Sequence, residues 1–167
     1  TGSRFRSHNE IMNKYEAILN ETKKAVIGKD EQLEKILTAI LAKGHILLED
    51  IPGVGKTTMA RAFAAAMSLQ TKRMQFTVDV LPSDVIGFMA LERHSVEPKL
   101  HPGAVFCNIF LADEINRTSS RTQAALLEVM EENRITVDGV TYPAMDPFIV
   151  IATQNPAGSA GTQLLPD

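Results

Sequence analysis

Two rhythms of apolar positions run along the chain. Between residues 9 and 24, Ile11, Tyr15, Ile18 and Leu19 recur at helical spacing. After a short apolar turn, AVIGKD, a second helix is expected, with Leu33, Ile36, Leu37, Ile40 and Leu41 on one stripe. Asp30 is expected to cap it and Gly44 to close it. The other rhythm belongs to strands. HILLE (45–49), KRMQFT (72–77), NIFLADE (108–114) and FIVIAT (148–153) read as short strands, the first and last two nearly continuous in apolar residues. Helical stripes lie between them: Met59, Ala62, Phe63, Ala66 and Met67, then Leu126, Leu127 and Met130 within residues 119–133. Asp138-Gly139, set between β-formers, signals a two-residue hairpin turn. Buried strands alternating with amphipathic helices predict a parallel α/β sheet, and such sheets take ligands beyond the carboxyl ends of their strands.

Composition narrows the class. The chain has 167 residues, 44% apolar and 22% charged, and a formal net charge of −3. That balance is globular, and it gives no overall basic field toward nucleic acid or anionic lipid. No apolar run reaches the roughly 18 residues of a membrane helix, so no membrane role is expected. Cys107 is the single cysteine. An internal disulfide is therefore impossible, and a reducing, cytoplasmic location is expected. Residues 1–8, opening on Thr1-Gly2-Ser3, read as a tag or disordered leader, and residues 9–167 as an incomplete α/β subdomain.

The stretch EDIPGVGKTT carries the first chemistry. It joins a strand to a helix, and its residues Pro52, Gly53, Val54, Gly55, Lys56, Thr57 and Thr58 make a phosphate-binding loop. Glycines let backbone N–H groups wrap a polyphosphate, and the following helix presents its positive end. Lys56 can reach the outer phosphates, and the Thr57 hydroxyl can hold Mg²⁺. Asp50 stands where the usual pattern opens with glycine. Asp tolerates the left-handed backbone of such a turn, although it adds a negative charge near the phosphates.

A second cluster ends the strand IFLAD. Asp113 is placed to hold Mg²⁺ through its water shell, and Glu114 to polarise a water attacking the γ-phosphate. Acidic residues commonly end strands, so this pair gains its meaning from the phosphate loop about 60 residues earlier. A third cluster, IATQNP, sets Thr153, Gln154 and Asn155 at another strand end, where Asn155 can bond the attacking water or the γ-phosphate. Arg117 and Arg121 read as solvated arginines at a helix start, Lys72-Arg73 as a short basic step, and Cys107 as a small core residue.

These motifs, in order, resemble the MoxR family of AAA+ ATPases. LLEDIPGVGKT, QFTVDVLPSDVIG, HPGAVFCNIFLADEINR, TQAALLEVMEE, ITVDGVTYP and FIVIATQNP carry the resemblance, which covers roughly residues 21–167. It implies a P-loop NTPase fold: an AAA+ parallel sheet of strand order 5-1-4-3-2, with strand 5 absent here, flanked by helices and bearing two β-hairpin insertions. Residues 87–103 and the ITVDGVTYP segment are those hairpins, which in related rings face the pore or the bound partner. The resemblance also implies ATP/ADP and Mg²⁺ as cofactors, Asp113 as the Walker B acid, Glu114 as the catalytic glutamate and Asn155 as sensor 1. By position it assigns Val26 and Ile27 to the adenine pocket.

The same resemblance implies a homo-hexameric ring and a protein client, with a von Willebrand A domain protein as the candidate. An arginine entering the neighbour's site, a fifth strand and a helical lid are expected outside these residues. Such an arginine can be worth about 10³–10⁵ in rate, so this stretch alone is expected to bind nucleotide and hydrolyse near background. The absent fifth strand would leave HILLE as an apolar edge open to pairing. Two other functions share the motifs. A nucleic-acid-directed motor is disfavoured by net acidity and by hairpins lacking a Lys/Arg cluster. A non-hydrolysing switch is disfavoured by an intact Lys56, Asp113 and Glu114.

Overall fold

The computed structural model describes residues 2–49, 55–93 and 95–154, with side chains from Ile11 onward. Its central sheet has four parallel strands, β1 (Ile46–Glu49), β2 (Thr71–Gln75), β5 (Ile109–Asp113) and β8 (Ile149–Gln154), in the order β1-β8-β5-β2. That is the expected order 1-4-3-2. Two antiparallel hairpins stand outside it: β3 (Gly87–Ala90) with β4 (Lys99–Pro102), and β6 (Arg134–Val137) with β7 (Val140–Pro143). The second turns on Asp138 and Gly139, both at positive φ (48° and 83°), as the Asp-Gly pair predicts.

Strand alternation divides the core in two. Ile109, Leu111, Ile149 and Ile151 face α1 (Gly2–Ala25), α2 (Asp30–Leu41) and α3 (Lys56–Ala66), meeting Leu33, Leu37, Ile40, Met59 and Phe63. Phe110, Ala112, Val150 and Ala152 face the other way. They pack with Val85 of α4 (Pro82–Ile86), Leu126 and Val129 of α5 (Ser120–Glu132), and Ile135 of β6. All five residues of β5 are buried, because helices cover both faces of this inner strand. Burying a side chain such as Phe110 or Leu111 contributes about 1.5–3 kcal/mol.

Helix ends depart from the sequence reading in places. Asp30 does not cap α2. Lys29 takes the N-cap position, and Asp30, first in the helix, pairs with Lys23 at 3.2 Å. Gly44 does not take the left-handed position at its end. Lys43 does (φ 56°), with Lys43 N–H bonding the Ile40 carbonyl and Gly44 N–H the Ala39 carbonyl. α1 begins at Gly2 rather than near Asn9, and Ile11, expected on its buried face, is exposed. On α3 the buried stripe is Met59, Ala60, Phe63 and Ala64, shifted from the expected set because the helix lies between the sheet and α1. Ser119 does cap α5, its hydroxyl accepting from Thr122 N–H at 3.3 Å.

β1 lies at one end of the sheet among the described residues, and Leu47 there is 46% exposed. The ladder to β8 is extended before β1 by a side chain. His45 Nδ1 accepts from Val150 N–H at 3.0 Å, and its Nε2 meets the Met130 carbonyl at 3.2 Å.

Cys107 is fully buried just before β5, and burial pushes its thiol up to about 11 from 9.0. At pH 8 only about one thiol in a thousand would then be ionised even if reagent reached it. We expect no labelling by iodoacetamide in the folded protein and complete labelling in denaturant, read by intact mass. Labelling of the folded protein within minutes would contradict the packing around β5.

Candidate nucleotide site

Parallel strands bring the three polar clusters to one edge of the sheet. Glu49 closes β1, and Lys56 and Thr57 open α3 just beyond it. β8 lies beside β1 with Gln154 opposite Glu49, and Gln154 Nε2 donates to Glu49 Oε1. β5 lies beside β8 and ends in Asp113. Thus Lys56, Thr57, Asp113, Glu114, Thr153 and Gln154 share the carboxyl end of one sheet. Asp50, Pro52, Gly53, Val54 and Asn155 lie outside the described residues.

Gly55 shows why the loop needs glycine at its close. Its φ is 101°, and its carbonyl starts α3 by accepting from Met59 N–H at 2.7 Å. Among the described residues, a Cβ built there would meet Lys29 Nζ, 4.0 Å away. Lys29 thus lies beside Gly55 at the start of α3, a placement the sequence reading missed. Thr58, in the same first turn, is exposed.

Asp113 points to the α3 side of the sheet, as Leu111 does. Its side chain is only 10% exposed, and both oxygens have donors. Arg73 Nε donates to Oδ2 at 2.7 Å, and the Thr153 hydroxyl donates to Oδ1 at 3.4 Å. The same hydroxyl accepts the Glu114 N–H at 2.9 Å, so one buried threonine fixes both acids. Glu114 takes a left-handed conformation (φ 56°, ψ 47°), which turns its carboxylate out of the strand's alternation. Its Oε2 accepts from Arg117 at 2.9 Å across a 3₁₀ turn, Ile115–Arg117. Gln123 holds that turn from α5, donating to the Ile115 and Thr118 carbonyls at 3.2 Å each. Arg117 is thus bound to the site; Arg121 is exposed, as expected.

A cavity of about 360 Å³ opens between α3 and β2, lined by Thr57, Ala60, Lys72, Arg73 and Leu111 among others. Val26 and Ile27, expected in an adenine pocket, part company. Val26 is buried in the core between the helices, whereas Ile27 is 90% exposed at the turn leading to Lys29. Arg73, read in sequence as part of a basic step, is the clearest residue missed. Its partner is 40 positions away, and only the pairing of β2 with β5 brings them together.

A strand, a glycine-closed turn and a helix on a 1-4-3-2 parallel sheet define a P-loop ATPase module of AAA+ fold. The comparisons agree. Residues 45–167 match the model of the ATPase family associated with various cellular activities (AAA), and the chain belongs to that family. The YeaC protein of Bacillus subtilis (strain 168) is 53% identical over 144 residues, 86% of this chain and 45% of that protein. Chaperone MoxR1 of Mycobacterium tuberculosis (strain ATCC 25618 / H37Rv) is 41% identical over 152 residues, 91% of this chain and 40% of its own. These place the chain in the MoxR branch. A crystal structure of a protein assigned as an ATPase from Cytophaga hutchinsonii superposes with a TM-score of 0.85 at 41% identity, covering 98% of this chain and 51% of that one. The chain spans less than half the length of the curated relatives it matches.

Proposed function

We propose that the chain is the nucleotide-binding part of a MoxR-type motor that couples Mg·ATP hydrolysis to remodelling of a protein partner. What carries the reading is the meeting of Lys56 and Thr57 with Asp113 and Glu114 at one end of the sheet. The donor set fits a nucleotide and its cation: a glycine-closed helix start, a lysine, a hydroxyl and a buried carboxylate. Pro52 to Thr58 would cradle the phosphates, Lys56 would contact the outer ones, and Ile27 would cover the adenine. Thr57 and Asp113 would hold Mg²⁺, which when bound neutralises charge on the phosphate oxygens.

The chain's own residues then do the rest. Glu114 takes a proton from the attacking water. Thr153 keeps Asp113 and Glu114 in fixed relation, and Asn155 orients the water or the γ-phosphate. Residues 9–167 form the incomplete large subdomain of a module that assembles with copies of itself, a hexamer in the full-length protein. The chaperone name of the Mycobacterium tuberculosis relative supports a protein client, and the single cysteine fits a cytoplasmic setting. Among the described residues no helix is long and apolar enough to cross a membrane.

Calorimetry on the full-length protein tests the reading. ADP and ATP should bind in magnesium buffer, and Lys56→Ala should weaken binding about 10–100-fold through loss of a charged hydrogen bond. Absence of nucleotide heat in the wild type would sink it.

A further inference from the structure

We propose that Arg73 is the resident counter-ion of Asp113, and that a divalent cation entering the site must displace it. The inference rests on the nucleotide reading above and goes beyond it, since it concerns what occupies the metal acid beforehand.

Arg73 lies on β2 opposite Leu111 of β5, and Gln75 lies opposite Asp113. Arg73, Leu111 and Asp113 therefore share the face that α3 covers. An arginine whose only task was to keep an edge strand soluble would extend into water. This one runs along its strand toward the site, lines the cavity that Thr57 also lines, and donates Nε to Oδ2 at 2.7 Å. The distance is that of a charge-assisted bond, and the acceptor is largely withdrawn from solvent.

The grip is single. A second guanidinium nitrogen reaches Gln75 Oε1 at 3.5 Å, so Asp113 is not held by a bidentate fork. The Arg73 side chain is 52% exposed and has water to turn into. Arg73 and Thr153 each take one acceptor site on Asp113, and a cation or its hydration water must share that carboxylate with the guanidinium. Two positive charges then compete for one carboxylate, and the singly bonded guanidinium is the one that can leave. Arg73 so acts as a positioning residue: it satisfies a buried carboxylate while the metal is away and sets the metal concentration at which it yields.

The test uses the full-length protein with stoichiometric ADP and Mn²⁺ as the probe, free Mn²⁺ being counted by electron paramagnetic resonance. Arg73→Gln should half-saturate at about fivefold lower Mn²⁺ than the wild type, because the competing charge is gone. Lys72→Gln removes the same charge one residue away. Its ammonium bonds the Gly103 carbonyl and not Asp113, so it should shift half-saturation less than twofold. Arg73→Lys, a point charge on a shorter reach, should fall between. Equal shifts for Lys72→Gln and Arg73→Gln would mean a general field and overturn the proposal, as would an unchanged or weakened Mn²⁺ affinity in Arg73→Gln with ADP still bound. Failure of the wild type to bind ADP would instead overturn the nucleotide reading, and this inference with it. In the wild type, should Arg73→Gln not fold, the bonded Arg73 Nε–H resonance should pass to rapid exchange when Mg²⁺ is added to the ADP complex; a persistent slow resonance overturns displacement.

Discussion

Glu114→Gln in the full-length protein should stop steady ATP turnover while leaving ATP bound. The amide matches the carboxylate in shape, so the left-handed turn at Glu114 and its N–H bond to Thr153 are kept. What is lost is the charge that draws the proton from water, a contribution of about 10²–10⁴ in rate. The amide oxygen can still accept from Arg117, so the 3₁₀ turn should not collapse. Phosphate release should fall by that factor, and ATP should remain with the protein through gel filtration. Turnover within threefold of the wild type would remove Glu114 from the chemistry. A non-hydrolysing switch would tolerate the change, whereas a motor would stall with its client attached.

Gly87→Ala is expected to be strongly destabilising. Gly87 joins α4 to β3 at φ 96° and ψ −176°, a region only glycine occupies readily. A Cβ there would stand 2.4 Å from the His101 carbonyl oxygen of β4 and 2.8 Å from the N of Gly103, just past that strand, both backbone atoms. Neither can swing aside as a side chain could. Conformational strain of about 1–3 kcal/mol adds to that clash, for a total on the order of 3 kcal/mol or more. The thermal midpoint should drop by about 10 °C, measured by circular dichroism on the full-length protein. Gly139→Ala offers the contrast. Its φ is 83°, but a Cβ there meets nothing within 4 Å, so only the smaller conformational cost applies. Equal midpoints for the two variants would show that close approach at Gly87 does not matter.

The strands were legible because buried parallel strands concentrate apolar residues; their order came only through the family resemblance. The Asp138-Gly139 turn was legible for a local reason: both residues must take positive φ, and few pairs do so readily. What stayed hidden depends on tertiary placement. Nothing local in Lys72-Arg73 tells that Arg73 will reach Asp113, since the sheet must first set β2 beside β5. Arg117 beside Glu114 could have been suspected, three residues being one turn of a 3₁₀ helix. Asp30 looked like a cap by type, yet the chain turned one residue earlier and used the acid in the first helical turn. Ile27 and Val26 are neighbours of equal hydrophobicity, and only the end of α1 separates a core residue from one free to meet a ring.

The turn of the β6–β7 hairpin also touches its neighbour. Asp138 Oδ2 accepts the Met89 N–H from β3 at 3.0 Å, and the Tyr142 hydroxyl lies 3.8 Å from Met89 Sδ. These contacts join the two hairpins at the turn of the second. β7 leads through residues 144–148 into β8, so the joined hairpins are tethered to the strand whose Thr153 bonds both acids.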